Sequence, residues 1–214
     1  MFITLEGPDG GGKSLQAATL AERLRAAGRP VVVTREPGGT PLGERIREVV
    51  LAVSGERRDP LSDALLFNAA RRELVSKVIA PALADGALIV CDRYADSTLA
   101  YQGYGAGAPL DALAALAEVS TGGLVPARTV LFDLPVEVGL ARRHGGDAEG
   151  LTRFELAAEH DRAYHERVRR GFLELARGDA VRWRVVDASA DPARVAEQVW
   201  SAVVDLLAEP GRPG

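Results

Sequence analysis

The sequence predicts an α/β domain in which one five-stranded parallel sheet carries helices on both faces. Three observations predict it. Strand-like and helix-like runs alternate along all 214 residues, which implies crossover connections and a parallel sheet covered on both sides. The first strand-like run leads straight into a glycine-rich loop, GPDGGGKS at 7–14, that opens a helix. Charged residues follow two later strand ends, where sheets of this class hold their ligands.

Taken in order, Phe2–Glu6 is an apolar strand that stops at glycine. Leu15–Ala27 is helical, with Leu20, Leu24 and Ala27 on one stripe and Gly28 as the stop. Val31–Thr34 is a β-branched strand after Pro30. Pro41–Val53 reads as a helix with proline in its first turn. A long helical stretch covers Leu61–Ala84, re-initiated at Pro81, and Ala87–Cys91 is a buried strand. A loop-rich stretch follows, then a helix over Leu110–Ser120. Thr129–Asp133 is the fourth strand and Val136–Arg143 the next helix. His144–Leu151 is rich in small residues and reads as mobile. Phe154–Arg177 is a long amphipathic helix, Val181–Asp187 the fifth strand and Pro192–Leu207 the last helix. The EPGRPG tail, about 209–214, is expected to fray.

Composition narrows the function classes. The apolar fraction of 47% and charged fraction of 26% are ordinary for a soluble single domain, here 1–214. A net charge of −4 argues against nucleic acid as a partner. The one cysteine, Cys91, cannot form an intramolecular disulfide and reads as a small core residue. No zinc-ligand pattern and no apolar run of about 20 residues is present, so neither zinc nor a membrane is expected. The start MFITLEG lacks the marks of a signal peptide, so a cytoplasmic protein is expected.

The loop carries the first chemistry. Gly7, four residues, and then Gly12-Lys13-Ser14 satisfy the phosphate-loop pattern in its required strand–loop–helix setting. Its glycines (Gly7, Gly10, Gly11, Gly12) allow positive φ and close backbone approach, so that amides of the loop, with Pro8 and Asp9, face an anion. Lys13 reaches β- and γ-phosphates, and Ser14 ligates magnesium. The loop therefore predicts a nucleoside triphosphate donor and leaves the acceptor open.

Arg35, in REPGGT after the second strand, and Arg93, in DRY after the third, suit a second phosphate. For each, a surface ion pair is the alternative. Phe67 and Arg71 share a helix face and suit a nucleobase, though a core ring beside a solvated arginine has the same pattern.

VCDRYADSTLAYQ (90–102), TREPGGT (34–40), LLFNAAR (65–71) and YHERVRRGFLELA (164–176) together resemble the thymidylate kinase family across nearly the whole chain. The resemblance implies a three-layer nucleoside monophosphate kinase fold, a homodimer, and transfer of the ATP γ-phosphoryl to dTMP with Mg2+. It further implies that Phe67 stacks on thymine, Arg71 donates to a thymine carbonyl, and Thr98 and Gln102 lie near the other polar edge. Tyr101 would lie under the sugar, Arg35 and Arg93 would hold the acceptor phosphate, and Pro37 would line its pocket. Asp9 would orient acceptor and magnesium shell, and Asp92 would pair with an arginine or support magnesium.

Because Pro8–Gly11 contains no arginine, the catalytic charge is expected from a lid at about 143–153, flanked by Arg142, Arg143 and Arg153. TRFE resembles the family's lid-exit motif and makes Arg153 the first choice. Leu15, Ala106 and Thr152 depart from the family pattern, which bears on ATP binding and lid chemistry. Asp133 suits magnesium waters or a helix cap, Glu6 a local structural role, and residues 187–189 the adenine. The three histidines read as surface residues, and Trp183 and Trp200 as packing. Two alternatives stay open here: a deoxynucleoside monophosphate kinase of different base choice, and a nucleotide-binding regulatory protein.

Overall fold

A computed structural model describes residues 1–52, 58–144 and 162–208. Five strands form one sheet: β1 (Phe2–Glu6), β2 (Val31–Arg35), β3 (Leu88–Asp92), β4 (Arg128–Asp133) and β5 (Trp183–Asp187). All pairings are parallel and the order is β2-β3-β1-β4-β5. The β-branched and apolar composition of the three central strands follows from burial on both faces.

Period-two alternation sorts the strand side chains between two helical layers. Ile3, Leu5, Leu88, Val90, Val130 and Phe132 pack against α1 (Lys13–Ala26) and α9 (Pro192–Val203). Phe2, Ile89 and Cys91 face the opposite way, onto α3 (Pro60–Leu74) and the turns after it. Leu131 and Trp183 meet α8 (Arg162–Gly178) on that same side. The remaining helices are α2 (Pro41–Leu51), α4 (Ala80–Ala84), α5 (Ala95–Thr98), α6 (Leu110–Thr121), α7 (Val136–His144) and α10 (Asp205–Ala208).

Local chemistry explains most helix starts. Thr40 caps α2 by accepting from the Gly43 amide at 3.0 Å, with Pro41 at the first helical position. Asp59 and Asp191 cap α3 and α9 in the same way, each again followed by proline.

The structure corrects the expected elements in several places. The stretch between Cys91 and Leu110 is expected to be loop-rich, yet Ala95–Thr98 is α-helix and Leu99–Gly105 a π-helical continuation. The glycines that suggest a loop serve close packing instead. A Cβ on Gly103 would stand 2.5 Å from Leu110 Cδ2, and one on Gly105 would stand 2.7 Å from Tyr164 and Val168. Second, the stretch to Ala84 is not re-initiated at Pro81: π-helical Val75–Ile79 joins α3 to α4 without a break. Third, α1 ends at Ala26, so Ala27 is an exposed cap and only Leu20 and Leu24 of the proposed stripe are buried. Fourth, α2 stops at Leu51 and β5 starts at Trp183. The expected lid at 143–153 and the tail at 209–214 lie outside the described residues, apart from the end of α7.

Candidate active site

Parallel register brings the carboxyl ends of three strands together. Leu5 and Arg35 both stand opposite Asp92, so the phosphate loop, the REPGGT turn and the DRY turn converge. They line a cleft of about 440 Å³ that continues over Phe67, Arg71, Thr98, Tyr101 and Gln102, and over Arg142 at the other end.

The loop has the conformation its glycines predict. Gly7, Gly10 and Gly12 have φ of 135°, 78° and 79°. A Cβ on Gly7 would meet the Phe132 carbonyl at 2.6 Å, and one on Gly10 would collide with the Gly139 backbone of α7. The loop is thus pressed against α7, and α1 begins at Lys13 with its first-turn amides directed to the loop. Lys13 is buried and donates to the Pro8 carbonyl at 2.7 Å. Burial, and then the neighbouring Arg93 charge, lower its pKa to about 8. Ser14 Oγ donates to Asp92 Oδ2 at 2.5 Å, and among the described residues no arginine forms an ion pair with Asp92. Leu15 is exposed beside the cleft.

Arg93 joins the loop to the rest of the cleft. Its Nη2 donates to Asp9 Oδ1 at 2.5 Å and to the Tyr101 hydroxyl at 3.1 Å, and that hydroxyl donates to Asp9 Oδ2 at 3.1 Å. Its Nη1 donates to the Gly7 carbonyl and to Ser97 Oγ, both at 3.1 Å. Among the described residues Arg93 is the one non-glycine with positive φ, 72°. That conformation costs about 1–3 kcal/mol and persists only where the surroundings over-determine it. Here the Arg93 amide donates to the Leu5 carbonyl, and the Tyr94 amide to Glu6 Oε1 at 2.7 Å. Burial, and then the Asp96 charge, raise the Glu6 pKa above the usual carboxylate range, while the Ser97 and Tyr94 hydrogen bonds and the Arg93 charge favour its ionised, accepting form.

Arg71 is the largest buried surprise. At the wall of the cleft it is 1% exposed and anchors a network. It pairs with Glu36 at 2.7 Å and donates to Asn68, the Tyr94 carbonyl and Thr98 Oγ1. Its Nη1 makes one of these bonds, to Asn68 at 2.8 Å, and carries a second hydrogen. Phe67, one turn earlier on α3, lines the cleft half-buried, and Gln102 is buried at its wall. Arg35 is half-exposed and held by the Glu44 carboxylate at 3.0 Å.

Some lining residues carry no distinguishing signal in the sequence. Arg47 reaches in from α2 and donates to the Pro37 carbonyl at 2.9 Å, while burial and nearby Arg35 lower its pKa. Its one signal is an arginine six residues after Pro41 in a helix, indistinguishable by pattern from a solvated helix charge. Glu36 and Ser97 also line the cleft, and the sequence pattern gave no reason to single them out.

Other candidates fall elsewhere. Asp133 makes a two-pronged pair with Arg169 of α8 at 2.7 and 3.0 Å. His165 is buried, not a surface residue, because α8 turns it toward the layer beneath the sheet. Cys91 and Trp183 are core residues as expected, and Trp200 packs against the α1 side, under Arg23 at 4.5 Å. Arg142 donates to the Ala188 and Ser189 carbonyls at 2.6 and 2.9 Å. Arg153, Thr152 and the side chain of Arg143 lie outside the described residues. Among the described residues no cluster of three His, Cys, Asp or Glu side chains is placed to hold a metal, and no helix is long and apolar enough to cross a membrane.

A family model described as thymidylate kinase matches residues 5–199. The chain is 52% identical to a thymidylate kinase of Thermomicrobium roseum over 206 residues, covering 96% of this chain and 95% of that one. It is 50% identical to one of Deinococcus radiodurans, covering 95% and 96%. In three dimensions it is similar to the crystal structure of thymidylate kinase from Ehrlichia chaffeensis, with a TM-score of 0.74, 33% identity and coverage of 97% and 98%.

Proposed function

The chain belongs to the thymidylate kinase family, and from that premise we propose how its residues carry the γ-phosphoryl of ATP to dTMP, giving dTDP and ADP. One observation carries the assignment of roles: a single guanidinium, Arg93, bonds both to Asp9 of the phosphate loop and to Tyr101 of the neighbouring pocket. It therefore stands between the donor and acceptor phosphates.

The attacking atom is an oxygen of the dTMP phosphate, which with a second pKa of about 6 is already dianionic at neutral pH. No general base is required. The difficulty is to bring two anions into line, so positioning and charge neutralisation dominate. Loop amides and Lys13 hold the triphosphate. Arg93 and Arg35 hold the acceptor phosphate, with Arg47 beside them. Asp9 orients Arg93 and does not act as a base. Phe67 stacks on thymine, the second Nη1 hydrogen of Arg71 donates to a base carbonyl, and Thr98 and Gln102 meet the opposite edge. Tyr101 lies under the sugar.

Ser14 Oγ and Asp92 Oδ2, 2.5 Å apart, form a hard oxygen pair suited to magnesium. Two protein oxygens fit an ion whose other ligands are phosphates and water. Held by Ser14 and Asp92, magnesium would supply positive charge against that developing on the transferring group. Arg153 supplies further charge at the transferring group: Arg153→Ala should lower kcat by about 10³-fold with little change in dTMP affinity. The chain acts as a homodimer, a reading supported by exposed Leu42 and Val49 on α2, Leu65 on α3 and Val119 on α6.

Steady-state assays across dTMP, dUMP, dCMP and dGMP test the acceptor. Preference for dTMP, with dUMP second, is expected; preference for dCMP or dGMP would overturn the base assignment. Calorimetry with dTMP alone should show binding, which a protein that recognises only a triphosphate would not.

A further inference from the structure

Glu6 ends β1 directly before the phosphate loop and is fully buried. Both of its oxygens are engaged, on two sides of Arg93. Oε1 accepts the Tyr94 amide at 2.7 Å, immediately after the strained residue. Oε2 accepts the Ser97 hydroxyl at 2.5 Å, and Ser97 Oγ accepts from Arg93 Nη1 at 3.1 Å. One carboxylate on one strand thus restrains both the backbone that follows Arg93 and the tip of its side chain.

The chain of donors has a direction. Arg93 N–H donates to Ser97, and Ser97 O–H donates to Glu6. Arginine has no acceptor atom, so the Ser97 proton must go onward. Only a group with two acceptor sites, facing an amide on one side and a hydroxyl on the other, completes both branches. A neutral amide at position 6 still accepts from Tyr94 but turns an N–H toward Ser97, which then faces two donors and loses its own acceptor.

We propose that Glu6 is a positioning residue for phosphoryl transfer: through Tyr94 N–H and Ser97 Oγ it sets the place and direction of the Arg93 guanidinium at the acceptor phosphate. The inference rests on the reading of Arg93 as an acceptor-phosphate ligand, and it gives Glu6 a role beyond local structure. It touches neither substrate, so its effect must appear in the step that Arg93 serves.

The test compares Glu6→Gln, Ser97→Ala and the double variant with Thr4→Val as control. Thr4 is equally buried on β1 and bonds Thr129 Oγ1 at 2.9 Å, away from Arg93. Displacing a charge at a reacting centre costs about 10–100-fold, so Glu6→Gln should lower kcat/KM for dTMP by about that factor while KM for ATP stays within about twofold. Ser97→Ala should shift the same parameter in the same direction by less. The double variant should resemble Glu6→Gln, because both changes break one chain. Thr4→Val should leave both nucleotide KM values unchanged. The proposal is overturned if Glu6→Gln keeps wild-type kcat/KM for dTMP, if its loss falls equally on KM for ATP, if the two losses multiply, or if Thr4→Val reproduces it. Should Glu6→Gln fail to fold, Ser97→Ala decides, and wild-type dTMP kinetics in that variant overturn the proposal. A wild-type chain that transfers no phosphoryl to dTMP would instead overturn the functional reading itself.

Discussion

Lys13 shows how burial sets the working range of a single residue. Its pKa is lowered to about 8, so the free protein gives up this proton well before an exposed lysine would. The protonated form is the one that attracts a triphosphate, and the sign follows: affinity for ATP should fall as pH rises through about 8. Binding near that pH should also take up a proton, because the incoming anion favours the charged amine. Calorimetry at pH 7 to 9, in buffers of different ionisation enthalpy, measures both effects. A flat affinity with no proton uptake would mean that Lys13 does not bear the triphosphate. Phe67 provides a second residue-level test. Base–aromatic stacking is worth about 1–3 kcal/mol, so Phe67→Ala should raise KM for dTMP by about 10–100-fold and leave KM for ATP unchanged. The glycine, lysine and serine positions of the loop were legible because their chemistry is local. Arg71 was half-legible: its helix face was readable, but its buried partner Glu36 comes from the turn after β2, 35 residues away.

At the scale of elements, that ion pair ties α3 to the turn after β2 and, through Tyr94 and Thr98, to α5. Glu36 is 4% exposed and Oε1 has no partner among the described groups. Removing the arginine strands a buried carboxylate, so Arg71→Met should cost about 3–5 kcal/mol of unfolding free energy, read by denaturant titration. Adding Glu36→Gln to that variant should recover part of the loss, since it removes the stranded charge. A second element-level test lies between α8 and the π-helical turn over Leu99–Gly105. A Cβ on Gly171 would stand 2.6 Å from Tyr104, so Gly171→Ala should destabilise the protein by about 1–3 kcal/mol through forced separation of the two elements. Close packing at Gly103 and Gly105 likewise explains why the stretch between Cys91 and Leu110 reads as loop in sequence. Glycine lowers intrinsic helix propensity, and a local reading stops there. Packing against Leu110, Leu113, Tyr164 and Val168 requires a residue without a side chain, and it overrides that propensity.

For the whole molecule, the strand order places β1 at the centre, between β3 and β4, with the phosphate loop at its carboxyl end. That position is where ligands of open α/β sheets collect, and it lets α1, α7 and the segments after β2 and β3 all reach the cleft. The proposed dimer belongs to this scale. Leu65→Asp, at an exposed α3 position, should shift sedimentation toward monomer while the isolated fold persists. A wild-type chain that sediments as a monomer at micromolar concentration would remove the dimer from the account.

The sequence by itself determined the fold class, the phosphate loop and the family, because hydrophobic period, glycine spacing and contiguous motifs are all local signals. It also placed helices from Pro41 and from Pro192, where proline stands in the first turn. Only the tertiary structure decided which charges meet. Glu6 with Ser97, Glu36 with Arg71, Asp133 with Arg169 and Arg47 with Pro37 are joined through the sheet register and helix packing. A charged side chain reads the same in sequence whether it ends in water or in a buried pair. The difference lies in desolvation and in the partner that another segment brings, and neither is written next to it in the chain.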